Sequence, residues 1–114
     1  MALTTSLNIT RRRGDTFPIQ LVVTSDGAAY SITSCTFLLT VDPAPNPTTS
    51  GNNLFQVAGV ITTAASGEFE FRPSAANMDL TPGTYYYDVQ MTNASGYIVT
   101  LSAGKFIITQ DITK

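Results

Sequence analysis

Arg11-Arg12-Arg13 is the one dense charge cluster in the chain, with three of its six basic side chains. Guanidinium groups in a row can grip an acidic neighbour or a phosphate. The same run can be a solvated lead-in to a strand, or a guard that discourages pairing at a sheet edge. Arg13-Gly14-Asp15 spells the tripeptide of integrin ligands, but Gly and Asp ahead of a strand serve a turn equally well. Glu68 and Glu70 fall two apart on one strand face, roughly 7 Å apart along the backbone. Exposed acids of that kind lack the burial that tunes a catalytic carboxyl. The remaining acids sit mostly in turns, without the spacing of a calcium loop. Cys35 falls on the inward phase of its strand, where a thiol acts as a small hydrophobe. Tyr85, Tyr86 and Tyr87 could form an aromatic platform. Alternation instead sends Tyr85 and Tyr87 inward, and a Tyr just after Pro82-Gly83 fits a tyrosine corner, its hydroxyl bonded to nearby backbone. Tyr86 is the outward one, and Tyr97 is expected near it across a hairpin. These two are the candidates for facing a ligand.

The chain contains no His, no Trp and a single Cys. That removes Ser-His-Asp and Cys-His catalysis, His-ligated metals, multi-cysteine sites and any intrachain disulfide. No catalytic residue, cofactor or metal is therefore expected, and the chain reads as a non-enzyme. Of its 114 residues 43% are hydrophobic and 12% charged, with a formal charge of −2. This is a globular composition with room for one domain. It offers no large basic face, so no nucleic-acid partner is expected. No run approaches the roughly 20 apolar residues that span a bilayer, so no membrane partner is expected either. MALTTSLNITRRR places its charges after its apolar residues, the reverse of a secretory signal. Without export, the sequons Asn8-Ile9-Thr10 and Asn93-Ala94-Ser95 are read as coincidence.

The elements that must position these residues have a period of two. Phe17, Ile19, Leu21 and Val23 share one face, and so do Cys35, Phe37, Leu39 and Val41. Pro43, Pro45 and Pro47, at every second position of residues 42–53, cannot lie in a sheet interior and mark a long exposed loop. Residues 54–62 read as one or two strands bent at Gly59, and residues 68–72 as another strand ended by Pro73. Residues 74–80 can form one helical turn capped by Ser74. Residues 84–92 give the clearest strand. A tight turn at residues 93–96 returns the chain through residues 97–101. Ser102-Ala103-Gly104 turns it again into a last strand at residues 105–109. Residues 1–10 are expected as an arm and residues 110–114 as a polar tail. The sum is all-β: a single immunoglobulin-like antiparallel β-sandwich of about seven or eight strands.

The ordered set Arg13-Gly14-Asp15-Thr16-Phe17-Pro18-Ile19, Pro82-Gly83-Thr84-Tyr85-Tyr86-Tyr87-Asp88-Val89-Gln90 and Thr100-Leu101-Ser102-Ala103-Gly104-Lys105-Phe106 is suggestive. It resembles the immunoglobulin-like N-terminal domain of tailed-phage baseplate upper proteins and related small phage virion proteins. The resemblance runs over roughly residues 10–113. It implies a non-enzymatic virion component, made in the host cytoplasm. Such a component docks on other virion proteins of the tail, baseplate, neck or capsid surface, and on copies of itself as a homo-oligomer. Baseplate relatives carry a longer C-terminal part, and this chain stops at Lys114. A stand-alone accessory piece is therefore expected, with Arg11, Arg12, Arg13, Pro43, Pro45 and Pro47 as its contact surface. The alternative is a carbohydrate- or host-surface-binding module using Tyr86 and Tyr97.

Overall fold

Alternating side chains set the architecture, because each strand must hide one face. The computed structural model describes residues 2–3, 8–25, 27–44 and 53–112, the first pair by backbone alone. At its centre β5 (Thr36–Asp42) runs antiparallel to β8 (Gly83–Thr92), in register from Thr36 opposite Thr92 to Asp42 opposite Tyr86. Phe37, Leu39 and Val41 bury the same face as Met91, Val89 and Tyr87. β9 (Ile98–Thr109) pairs antiparallel with β8, and β2 (Ile9–Arg12) lies along the far edge of β9. On the other side of β5 comes β6 (Phe55–Thr63), then β7 (Glu68–Phe71), then β3 (Ile19–Ser25). The two-residue strands β1 (Ala2–Leu3) and β4 (Ala28–Ala29) join β3.

This path closes into two layers because β6 changes partner partway along. Residues 55–58 pair with β5, whereas residues from Gly59 onward pair with β7. In a flat sheet β5 and β7 would lie nearly 10 Å apart, two strand spacings of about 4.8 Å. Yet the rings of Phe37 on β5 and Phe69 on β7 stack with centroids 3.8 Å apart. The sheet is therefore folded over at β6. A side chain at Gly59 would meet this fold directly, its Cβ 2.7 Å from that of Phe37. Between the layers lies one core of Ile19, Leu21, Val23, Phe69 and Phe71 against Phe37, Leu39, Val89 and Phe106. Each fully buried large side chain there contributes about 1.5–3 kcal/mol.

The expected β-sandwich and the inward faces of β5 and β8 are present. Five expectations need correcting. β2 is parallel to β9, so the sandwich is not wholly antiparallel, and Ile9 and Thr10 belong to this strand rather than to a free arm. Phe17 is 66% exposed, because β3 begins only after Pro18, which cannot donate to a ladder. Ser102-Ala103-Gly104 is not a turn. β8 is long enough to pair with β9 from Ile98 to Ile108, and one extra residue is absorbed where the register shifts between Val89 and Gln90. Glu70 is buried rather than exposed, because the Arg72 side chain reaches back to it, with Nε 2.7 Å from Oε2. The helical turn at Ser74 forms as expected. The Asn77 N–H donates to Ser74 Oγ and the Ser74 N–H to Asn77 Oδ1, both at 3.0 Å.

Candidate interaction surface

The strand period divides the arginine cluster. Arg11 shares the parity of buried Ile9 and turns toward the sandwich, where its Nε is buried and meets no hydrogen-bond partner among the described residues. Arg12 shares the parity of Thr10 and is exposed, its Nη1 donating to the Gln110 carbonyl at 3.1 Å. Arg13 follows the strand and pairs with Asp79, Nε to Oδ1 at 2.7 Å. With 36% and 64% of those side chains exposed, the pair contributes little to stability. Gly14, at φ 83°, carries a tight turn in which the Asp15 N–H donates to the Arg12 carbonyl and the Gly14 N–H to that of Met78. Arg12, Arg13 and Asp15 line a shallow groove with Asp111 and the 88%-exposed Ile112. Arg11, Arg12 and Arg13 therefore form no single cationic patch.

Of the proline loop, Pro43 is exposed, and Pro45 and Pro47 lie outside the described residues. The root of the loop is clamped by buried Asp42. Its Oδ1 accepts the Ala44 N–H at 2.8 Å, and its Oδ2 accepts the Asn53 side-chain amide at 2.7 Å. The strand order β5-β8-β9-β2 sets Asp42 and the arginine strand three spacings apart, roughly 14 Å. Both stand toward the same end of the layer, since Asp42 is level with Lys105 and Arg12 with Thr109.

The tyrosines separate as well. Tyr85 donates its hydroxyl to the Thr81 carbonyl at 2.5 Å, the corner arrangement expected of it. Buried Tyr87 lies 3.2 Å from Ser102 Oγ, and burial pushes its phenol up, partly offset by that contact. Half-buried Tyr86 lines a cavity of about 110 Å³ with Asp42, Asn53 and Asp88. Tyr97 is 73% exposed at the tip of the β8–β9 hairpin. Tyr86 is level with Lys105 and Tyr97 adjoins the Thr92–Ile98 rung, roughly 20 Å away. The structure therefore does not bring Tyr86 and Tyr97 together.

The acids offer no tuned pair. Glu68 is exposed. The Glu70 carboxyl is held below its ordinary range, first by the Arg72 hydrogen bond and with help from the Gln20 side chain, against a desolvation that raises it. Burial raises the Asp88 carboxyl, which sits diagonally from Asp42 on the outer face of the layer. Among the described residues no three His, Cys, Asp or Glu side chains gather closely enough to hold a metal ion. Burial pushes the Cys35 thiol up, away from reactivity.

The feature missed in the sequence is the exposed apolar surface of the hairpin, whose turn at residues 93–96 was expected. Ile98 is 65% exposed, and Val99 and Thr100 are exposed too. Its signal was present in residues 89–104, which hold no charged side chain although part of the stretch reaches solvent.

No family model and no curated protein matches the chain. Among solved structures it is similar to CopC from Methylosinus trichosporium OB3b, with a TM-score of 0.53 and 12% identity, over 100% of this chain and 95% of that one. It also aligns with the periplasmic chaperone SfaE, with a TM-score of 0.49 and 13% identity, over 97% of this chain and 57% of that one. Neither is a phage baseplate protein. The likeness to CopC is one of fold, and the chain is a single immunoglobulin-like β-sandwich.

Proposed function

We propose that the chain is a non-enzymatic structural component of a tailed-phage virion, docking on other virion proteins in symmetric copies. The sequence resemblance supplies the setting. The observation that carries the docking role is the uncovered apolar side chains at both ends of the sandwich. Tyr97 and Ile98 stand out at the hairpin tip, and Ile112 stands out beside Arg12 and Arg13. Apolar anchors rimmed by polar groups are what a docking surface needs. The groups that could do chemistry are instead engaged within the molecule, Asp42 by the loop root and Glu70 by Arg72. In this reading Arg12 and Pro43 belong to the polar rim of one docking end.

The test is incorporation. A tagged chain produced together with the particle encoded beside it is expected to co-sediment with gradient-purified virions in fixed ratio to the tail proteins. Recovery only at the top of the gradient would overturn the assignment. Specific binding on a glycan array, with no incorporation, would transfer the chain to the carbohydrate-binding alternative, which the wide spacing of Tyr86 and Tyr97 disfavours.

A further inference from the structure

The two ends of the sandwich differ in composition. β3, β6 and β8 run in one direction and β5, β7 and β9 in the other, so the connections after β3, β6 and β8 gather at one end. Residues 27–41, 54–67 and 89–104 supply this end, and none of them is charged. The charges that border these loops are Asp26, which lies outside the described residues, and Glu68. All six prolines, with Arg13, Asp15, Arg72 and Asp79, belong to connections at the opposite end. Eight large apolar side chains are exposed among the described residues, and five of them stand in or beside the uncharged loops: Val60, Ile61, Tyr97, Ile98 and Val99.

These loops are also held in fixed positions. The Ala64 carbonyl accepts both the Ile32 N–H at 3.0 Å and the Gly67 N–H at 3.1 Å, which ties the first loop to the second. A Cβ at Gly67 would collide with the Val23 and Tyr30 carbonyls. In the third loop Asn93 Oδ1 accepts the Ser95 N–H at 2.9 Å and the Tyr97 N–H at 3.0 Å. Little ordering therefore remains for a partner to impose.

We propose that this end is a docking face for another protein, and that the patch it meets is itself uncharged and apolar. Charge depletion around an exposed aromatic is the composition of the centre of a protein interface. A charged patch seated here would lose its water and gain no opposite charge in return. The area fits as well. The 12 residues of β9 span about 40 Å at ~3.3 Å per residue, the long dimension of the molecule, so the end measures 32 × 21 Å. That is roughly 700 Å², close to the ~800 Å² that each partner gives to a stable contact. A sugar is the poorer fit, because Asn93 Oδ1, which could direct a hydroxyl, is engaged within the hairpin.

The proposal rests on the docking reading above and names the end and the partner's chemistry. Gradient-purified particles assembled with the tagged full chain are expected to keep it through a wash at about 1 M salt, where charge–charge contacts are screened. The triple variant A29K/A65K/A94K puts a lysine at one exposed position of each loop. It should fold with an unchanged circular dichroism spectrum and incorporate about tenfold less, and Tyr97→Ala, which removes the aromatic anchor, should do likewise. A parent chain missing from the particles would overturn both this proposal and the docking reading. Variants that incorporate like the parent, or a parent stripped by salt, would overturn this proposal alone. So would glycan binding lost in Tyr97→Ala, which assigns the face to a sugar, or dimers of the purified chain abolished by the triple variant, which assign it to a second copy.

Discussion

Asp88 shows how one residue's environment becomes a measurable property of the fold. It lies on the outer face of β8, partly covered beside Thr40 and Ala103, and burial alone raises its carboxyl above the ordinary value. The folded chain therefore holds this proton more tightly than the unfolded chain does. Stability tied to the group is present at acid pH and is lost as pH rises through the raised folded value. Asp88→Asn should consequently melt higher than the parent at neutral pH, and the advantage should close as pH falls below the ordinary carboxyl value of about 4. Thermal melts of both proteins across pH check this; an advantage that grows in acid would contradict it. Glu70 has the opposite sign. Its lowered carboxyl contributes stability above the ordinary value, which is lost as pH falls through the folded one.

At the scale of the element, β6 decides the architecture. It serves β5 with its first residues and β7 with its last, and it can do so because Gly59 leaves room for Phe37 where the layers close. Gly59→Ala forces a methyl against the Phe37 Cβ, and overpacking of this kind costs about 1–3 kcal/mol. Urea denaturation should show that loss with an unchanged slope, and a neutral result would mean that the corner has slack. The bend at Gly59 was legible, because a glycine inside an apolar strand pattern has few other uses. So were the inward faces of β5 and β8, where Phe37, Leu39, Val41, Tyr87, Val89 and Met91 alternate without interruption. The continuity of β9 was not. Ser102-Ala103-Gly104 has turn composition, and only its pairing with β8, with Ser102 opposite Val89 and its hydroxyl 3.2 Å from that of Tyr87, keeps it extended. Nor was the parallel placement of β2, which depends on a partner nearly a hundred residues away and leaves no local trace.

At the scale of the whole molecule, the sandwich measures 40 × 32 × 21 Å, with the arginine strand toward one end of β9 and the uncharged hairpin at the other. The candidate site was legible only as a list of residue types. Arg11, Arg12 and Arg13 looked like one patch, but the period of two sends Arg11 inward and Arg12 outward, and Arg13 is held by Asp79. Tyr86 and Tyr97 looked like neighbours, but the hairpin is long enough to part them. The exposed hairpin is visible only once β9 is seen to run along β8 as one strand to Thr109. A body of this shape, with uncovered apolar side chains at each end, fits the proposed role in a repeated assembly. The most direct test of the proposed function is a reconstruction of the tailed-phage particle proposed to contain it. The account predicts density for a two-layered β-sandwich of these dimensions at symmetry-repeated positions, with its arginine end or its hairpin end seated on a neighbouring protein. A reconstruction fully assigned to other chains, with no such density, would contradict it.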